Sequence, residues 1–390
     1  TTSTTSTTST TSTKQQQPPT TPSTLVNWYE ALSTVVCSKD SASTTASNAT
    51  TPLSLLPPLP PLPRVRHTLT HLGEHHFLMY GGRSNPSTAM NDFYLLALNE
   101  TYSAVRSSWS TTKVNLPIGV TTKDVAGRWS HTATYQQTNS VGSNGSNGSN
   151  GSDGSDGSNA SSERVWIYGG RDGAQVFKEM IAIAITRVGG GRKEGMHLTM
   201  LNLKESGQSP PGGRFSHTTT LIGNDLIIIG GCNHLSGMEQ GGVSGDAMVP
   251  YIYDTTHSVW SSVSVSSMTT RVVQRLYSHS SCLVMPGSGN SSGNSSGNQG
   301  WLLVLGGVAN ESQQENFALV YDVTALLNKS NASSRASNQS IIDVSVKTVQ
   351  VQNIPSTALL CRHRLVTVNG RVYSIGGGSE VLSFGACFSE

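Results

Sequence analysis

The chain has 390 residues and is nearly neutral, with 25 Lys and Arg against 23 Asp and Glu. This length is enough for a large core, and the balanced charge argues against nucleic-acid binding by bulk charge alone. No apolar run approaches the roughly 20 residues that span a bilayer, so we expect no membrane-spanning segment.

Two polar or proline-rich stretches begin the chain. Residues 1–24 form a Thr/Ser/Gln/Pro tract that we expect to be disordered, because it holds too few apolar side chains to offset the entropy of ordering. Residues 25–63 combine a short apolar segment around Trp28 with a proline-rich linker. Since the chain begins with Thr1 rather than Met, we interpret it as a fragment of a longer gene product.

The cysteines favour a reducing compartment. Their number is odd and no two form a CxxC pair, so neither a disulfide framework nor a zinc finger is indicated; they are Cys37, Cys232, Cys282, Cys361 and Cys387. We therefore expect a cytoplasmic protein without a metal site.

One unit recurs five times between residues 64 and 390. Each copy has a histidine at the head of an alternating apolar strand, and a second apolar strand that ends in a glycine pair. The histidines are His67, His131, His217, His279 and His363; the glycines are Gly81, Gly82, Gly169, Gly170, Gly230, Gly231, Gly306, Gly307, Gly376 and Gly377. Periods of this length with several strands are typical of β-propellers.

Inserted low-complexity segments explain why the copies differ in length. The histidine and the first glycine are 14, 38, 13, 27 and 13 residues apart. The two long spacings contain Ser/Gly/Asn-rich insertions at 140–162 and 286–300, and a third insertion lies at 328–340. We expect all three to be disordered loops, which a fold tolerates because closure entropy grows slowly with loop length.

The repeat predicts an all-β propeller of five four-stranded blades, although a degenerate sixth is not excluded. The fifth unit contains only three predicted strands before Glu390. We expect the segment around Trp28 to supply its fourth strand and close the ring, which would cover an exposed sheet edge. The alternative is that this segment is a helix of a missing upstream part.

The repeated residues are interpreted as structural. The glycine pairs are predicted turns, because no copy continues as a phosphate-binding loop into a helix. The five histidines stand one per blade without a second ligand beside them, so we expect buried hydrogen bonds between strands or blades rather than metal binding. Arg64, Arg128 and Arg214, each three residues before a histidine, are predicted to form inter-blade pairs with carbonyls or carboxylates.

Two arginines are the candidate binding residues. Arg83 and Arg171 directly follow their glycine pairs, in loops that differ between blades and should cluster on one face. If a phosphate or carboxylate binds this loop face, these side chains are the best candidates. The alternative is that they are solvated loop charges. No catalytic constellation was found.

The repeat resembles the kelch family over residues 64–390. Two shorter matches are similar to the propeller of the tRNA wybutosine-synthesizing protein 4 family, whose members are leucine carboxyl methyltransferase-like. One is Gly-Gly-Arg-x-x-Pro at 81–86; the other is the Gly-Gly-Gly ending that reaches Phe384 and Gly385, where Leu382 departs from the usual Phe.

This resemblance implies a scaffold or substrate-binding role in tRNA modification. Family members methylate and methoxycarbonylate the wybutosine side chain of phenylalanine tRNA, using S-adenosylmethionine in a methyltransferase half. The present sequence has no Gly-rich strand-to-helix turn of that half, so no catalytic or cofactor-binding residue is carried over. The alternatives are a stand-alone kelch adaptor, which would bind a protein on its loop face, and a secreted sugar-oxidase relative, which the lack of a signal peptide and of metal ligands disfavours.

Overall fold

The described part of the chain is almost entirely β-structure. The computed structural model describes residues 61–99, 108–114, 125–138, 162–188, 195–210, 212–233, 249–267, 276–285, 299–309, 317–331, 342–352 and 360–377. The predicted all-β class is confirmed. The predicted N-terminal tract at 1–24, and the closing strand near Trp28, lie outside the described residues.

The first two repeats each form a four-stranded antiparallel sheet with its strands in chain order. The first sheet contains β1 (Thr68–His71), β2 (His76–Tyr80), β3 (Phe93–Asn99) and β4 (Ser108–Val114). The second contains β5 (Thr132–Thr138), β6 (Ser162–Tyr168), β7 (Met180–Val188) and β8 (Gly195–Leu201). Chain-order pairing needs only short hairpin connections, apart from the inserted segments.

The next two repeats form equivalent sheets that join at their outer strands. A short β9 (Ser206–Gly207) precedes the third sheet, which contains β10 (Thr218–Ile222), β11 (Asp225–Ile229), β12 (Tyr251–Asp254) and β13 (Val259–Ser267). The fourth region contains β14 (Leu276–Tyr277), β15 (Ser280–Val284), β16 (Trp301–Leu305), β17 (Val308–Ala309), β18 (Phe317–Asp322) and β19 (Ile342–Gln350). Strands β13 and β19 pair in parallel, and β9 pairs with β13.

The fifth repeat is described only as a hairpin. It consists of β20 (Arg364–Val368) and β21 (Arg371–Ile375). Apolar side chains on this hairpin are solvent-exposed, including Tyr373 at 46% and Ile375 at 59%. The third predicted strand of this repeat lies outside the described residues, and the blade count therefore stays a prediction.

Successive sheets pack face to face through separate cores. One core joins the first and second sheets, with Tyr80 against Ile167 and its neighbours. A second joins the second and third sheets through Trp166 and Ile228, and a third joins the third and fourth sheets through Ile227. Adjacent residues of β6 and β11 thus serve different cores, because side chains alternate between the faces of a strand. The second strands are continuous apolar runs for this reason.

The first strands of all five repeats line one cavity of about 530 Å³. It is bordered by side chains from β1, β5, β10, β15 and β20, or from residues next to them. The fifth repeat therefore approaches the first as well as the fourth.

The insertion boundaries differ from those predicted. Residues 328–331 belong to helix α1 (Thr324–Asn331) rather than to a loop, because Leu326 is buried in the core and Asp322 caps the Thr324 amide at 3.0 Å. Ser162 begins β6, and Gly300 donates to the Thr324 hydroxyl at 3.3 Å. Composition alone does not mark these boundaries.

Candidate functional site

The glycine pairs form the contact between one repeat and the next. Gly81 has a φ of +68°, and a Cβ there would lie 2.5 Å from the Arg128 carbonyl oxygen and 2.8 Å from His131 Cε1. The amide of Gly82 donates to the same carbonyl at 2.9 Å. The same crowding recurs at Gly169, Gly230 and Gly306. A side chain at the first glycine would therefore push neighbouring repeats apart.

The fifth pair departs from this pattern. Gly376 has a φ of +71°, yet among the described residues nothing lies within 4 Å of a Cβ built there. Its left-handed backbone is thus the same as in the other copies, but the packing against a following repeat is not.

Three of the repeated histidines hydrogen-bond across sheets, which is the type of contact the sequence suggested for them. In each case Nε2 meets a threonine hydroxyl of the preceding repeat: Thr68 with His131 at 2.9 Å, Thr132 with His217 at 3.0 Å, and Thr218 with His279 at 3.0 Å.

Burial keeps these imidazoles neutral. It lowers the pKa of His131 and His217 well below the ordinary value, and that of His279 to about 3. Within the part of the chain that the structure describes, no group of three His, Cys, Asp or Glu residues could hold a metal ion.

The side chains of the repeat arginines hydrogen-bond groups of their own repeat, whereas the Arg128 carbonyl accepts from Gly82 of the preceding repeat. Arg128 donates to the Gly169 carbonyl at 3.0 Å and to Glu179 Oε1 at 2.6 Å. Arg64 donates to the Gly81 carbonyl at 3.0 Å and to Asp92 at 2.6 Å. Carbonyls and carboxylates were predicted as partners, but the inter-blade placement was wrong. The arginine spans its own hairpin and holds the carbonyl of the first glycine.

The two predicted loop-face arginines make backbone hydrogen bonds, and their guanidinium groups contact an aromatic ring. Arg83 pairs with Val65 through two backbone hydrogen bonds of 3.0 Å, and Arg171 pairs with Trp129 in the same way at 2.9 and 3.0 Å. Both guanidinium groups lie over the buried Trp129 ring, at 5.2 and 5.6 Å from its centroid. Arg171 also lies 4.9 Å from the Phe215 centroid. These cation–π contacts fix the direction of two charges.

A third arginine joins this group. Desolvation first, and then the charges of Arg171 and Arg362, lower the pKa of Arg83. We call Arg83, Arg171 and Arg362 the arginine cluster. An anion bound among these guanidinium groups would reduce their mutual repulsion. The Asp172 carboxylate beside Arg171 already contributes an opposite charge.

Arg362 occupies a fixed position of the repeat. It directly precedes His363, as Ser130, Ser216 and Ser278 precede their histidines. All four residues have φ between 56° and 59°. Arg362 was not singled out from the sequence.

These positive-φ residues connect the repeats through their backbones. The amide of each donates to the carbonyl of its counterpart in the preceding repeat: Ser130 to Arg66 at 3.0 Å, Ser216 to Ser130 at 2.9 Å, Ser278 to Ser216 at 2.8 Å, and Arg362 to Ser278 at 2.8 Å. The arginine cluster is therefore built beside a continuous chain of hydrogen bonds.

The comparisons with known proteins give no family. No protein-family model matches the chain, and no curated protein matches it. In the described regions, no helix is long and apolar enough to cross a membrane. Cys232, Cys282 and Cys361 are buried, and no disulfide joins any two of them.

Proposed function

We propose that the chain is a kelch-type β-propeller of five blades. Support comes from four successive four-stranded antiparallel sheets, from the fifth hairpin, and from the five first strands around one cavity. The kelch-like residues occupy equivalent places in successive sheets, since each glycine pair from the first to the fourth repeat packs on the next histidine. A closing strand from the segment near Trp28 would cover the exposed side chains of the fifth hairpin.

We further propose that this propeller is the scaffold and substrate-binding half of a cytoplasmic tRNA-modifying protein of wybutosine biosynthesis. The observation that carries this proposal is the arginine cluster, which we expect to lie on the loop face. Arg83 is itself part of the Gly-Gly-Arg-x-x-Pro motif on which the resemblance depends. S-adenosylmethionine would bind a methyltransferase domain outside residues 1–390, and this chain would contribute no catalytic group.

The geometry suits a phosphate backbone. Stacking on Trp129 orients the guanidinium groups of Arg83 and Arg171 before any ligand arrives, which lowers the entropy lost on binding. Arginine also fits phosphate oxygens with two parallel hydrogen bonds. Since the rest of the chain is nearly neutral, a few local contacts would carry the binding, and the affinity of this chain alone would be weak and salt-sensitive.

Binding of phenylalanine tRNA tests this proposal. In a fluorescence-anisotropy titration across a salt series, the double variant Arg83→Ala/Arg171→Ala should bind about tenfold more weakly than the wild type. The slope of log affinity against log salt should fall by about two, one for each lost phosphate contact.

The matched control removes two charges elsewhere. Lys204→Ala/Arg371→Ala lowers the net charge equally at exposed positions and should leave tRNA affinity nearly unchanged. Equal losses in both double variants would show that only bulk charge matters, and tight binding that survives high salt would contradict the proposal. An adaptor that binds protein instead would show no tRNA binding.

A further inference from the structure

One position of the repeat changes its chemistry only in the fifth copy. The residue after the histidine is Thr68, Thr132, Thr218 and Ser280 in the first four copies, and Arg364 in the fifth. In the first three copies its hydroxyl bonds the histidine of the following repeat. The fourth, Ser280, instead accepts from the Leu365 amide at 2.9 Å. The series of hydroxyl–imidazole contacts thus stops next to Arg364.

Arg364 lies on the wall of the central cavity of about 530 Å³. The cavity lining also includes Thr219 and Ser281, which carry hydroxyls, together with His67 and the apolar residue Leu69. No Asp or Glu is among the described residues that line it. A cavity of this size fits a small organic molecule rather than a few waters only.

The environment of Arg364 is that of a cation without a counter-ion. Across the described ranges, no carboxylate lies within ion-pair distance of its guanidinium, which also makes no hydrogen bond there. Its side chain has accessible surface, yet desolvation lowers its pKa. Solvent exposure together with partial desolvation is consistent with a side chain at the surface of a water-accessible cavity.

The charge of Arg364 also affects the neighbouring imidazoles. Burial, then Arg64 and Arg364, lower the pKa of His67 to about 4. In the described part of the chain, both ring nitrogens of His363 are buried without a hydrogen-bond partner. Arg364 therefore faces neutral imidazoles at the position where the other copies have threonine or serine.

We propose that the central cavity binds a small ligand through a terminal oxyanion, a phosphate or a carboxylate, with Arg364 as its principal charge partner. A guanidinium presents two parallel N–H groups to either oxyanion. Thr219 and Ser281 also line the cavity, although their hydroxyls already hydrogen-bond Thr132 at 2.7 Å and Thr220 at 3.1 Å, and Leu69 offers apolar contact for the remainder of the ligand. The described lining of this cavity does not include Arg83, Arg171 or Arg362, and the proposal does not depend on the tRNA role.

Thermal unfolding and calorimetry of the full chain test the proposal. The probes are inorganic phosphate and malonate, with sodium chloride at equal ionic strength as the reference. At least one probe should raise the melting temperature of the wild type in a concentration-dependent way and bind with one site per chain. The probe that succeeds distinguishes a phosphate from a carboxylate ligand.

Arg364→Thr, which restores the residue type of the other copies, should weaken that binding at least tenfold. Without a probe, the same variant should melt at nearly the temperature of the wild type, because the exposed guanidinium makes no ion pair or hydrogen bond among the described residues that its removal would break. Arg364→Lys should retain weakened binding, and Arg371→Thr on the same hairpin should behave like the wild type.

Two outcomes would overturn the proposal. One is a wild type that neither probe stabilises beyond chloride, combined with a lower melting temperature for Arg364→Thr, as expected for a purely structural arginine. The other is binding that survives Arg364→Thr but disappears in Arg83→Ala/Arg171→Ala, which would assign the anion to the loop face. Loss of tRNA binding alone would leave the cavity site unaffected.

Discussion

Replacing Gly81 by alanine is expected to lower the free energy of unfolding by about 3 kcal/mol, the sum of left-handed backbone strain and overpacking. The added methyl would overlap the Arg128 carbonyl and the His131 ring, both in the following repeat. Neither group can retreat easily, since the Arg128 carbonyl accepts the Gly82 amide and His131 bonds Thr68. Urea denaturation monitored by tryptophan fluorescence measures the loss.

Gly376→Ala provides the matched control. Its φ of +71° is close to the +68° of Gly81, but no described residue lies within 4 Å of the added methyl. It should therefore cost only the backbone strain, about 1 kcal/mol. Equal losses in the two variants would mean that the crowding between repeats contributes nothing.

Arg128→Met is expected to lower the free energy of unfolding by about 3 kcal/mol. Methionine preserves most of the aliphatic packing of this fully buried side chain, but it removes the donors to the Gly169 carbonyl and to Glu179. The guanidinium also leaves the Phe177 ring, whose centroid is 4.1 Å away. Charged hydrogen bonds to buried groups are worth about 1.5–3 kcal/mol each, whereas the half-exposed Glu179 adds less.

The equivalent Arg214→Met change separates these contributions. Arg214 donates to the Gly230 carbonyl at 2.9 Å, and its Nε has no partner among the described residues. Burial lowers the pKa of this guanidinium, so part of its hydrogen-bond energy is already offset by desolvation. Its loss should be about half that of Arg128→Met. A larger loss for Arg214→Met would contradict the role assigned to the Glu179 pair.

The sequence was most informative where a residue type repeats in register. Apolar runs such as 226–229 predicted the second strands, because a strand covered on both faces has no polar side. Residues 341–351, which follow the third insertion, also have the apolar alternation of a strand, and they correspond to β19 (Ile342–Gln350). Helix α1 was missed because its eight residues carry only a short apolar face within a Ser/Asn-rich region.

The candidate site was only partly predictable. Arg83 and Arg171 stood out because they alone follow a glycine pair with a positive charge. Their stacking on Trp129 depends on how two repeats meet, which no local pattern specifies. Arg364 was not predicted as a site residue. The sequence does show that the residue after the repeated histidine carries a hydroxyl in four copies and is arginine in the fifth.

The central claim is that the five repeats close into a ring, with the fifth beside the first. Electron paramagnetic resonance can measure three distances between nitroxide labels at Glu74, Gly223 and Asn369. These residues lie in the exposed first hairpin turns of the first, third and fifth repeats. Cys37 and Cys387 are first replaced by serine, so that they are not labelled. In a closed ring the Glu74–Asn369 distance is the shortest, and the two distances to Gly223 are longer and similar. In an open row of sheets the Glu74–Asn369 distance would be the longest of the three, which would contradict the ring.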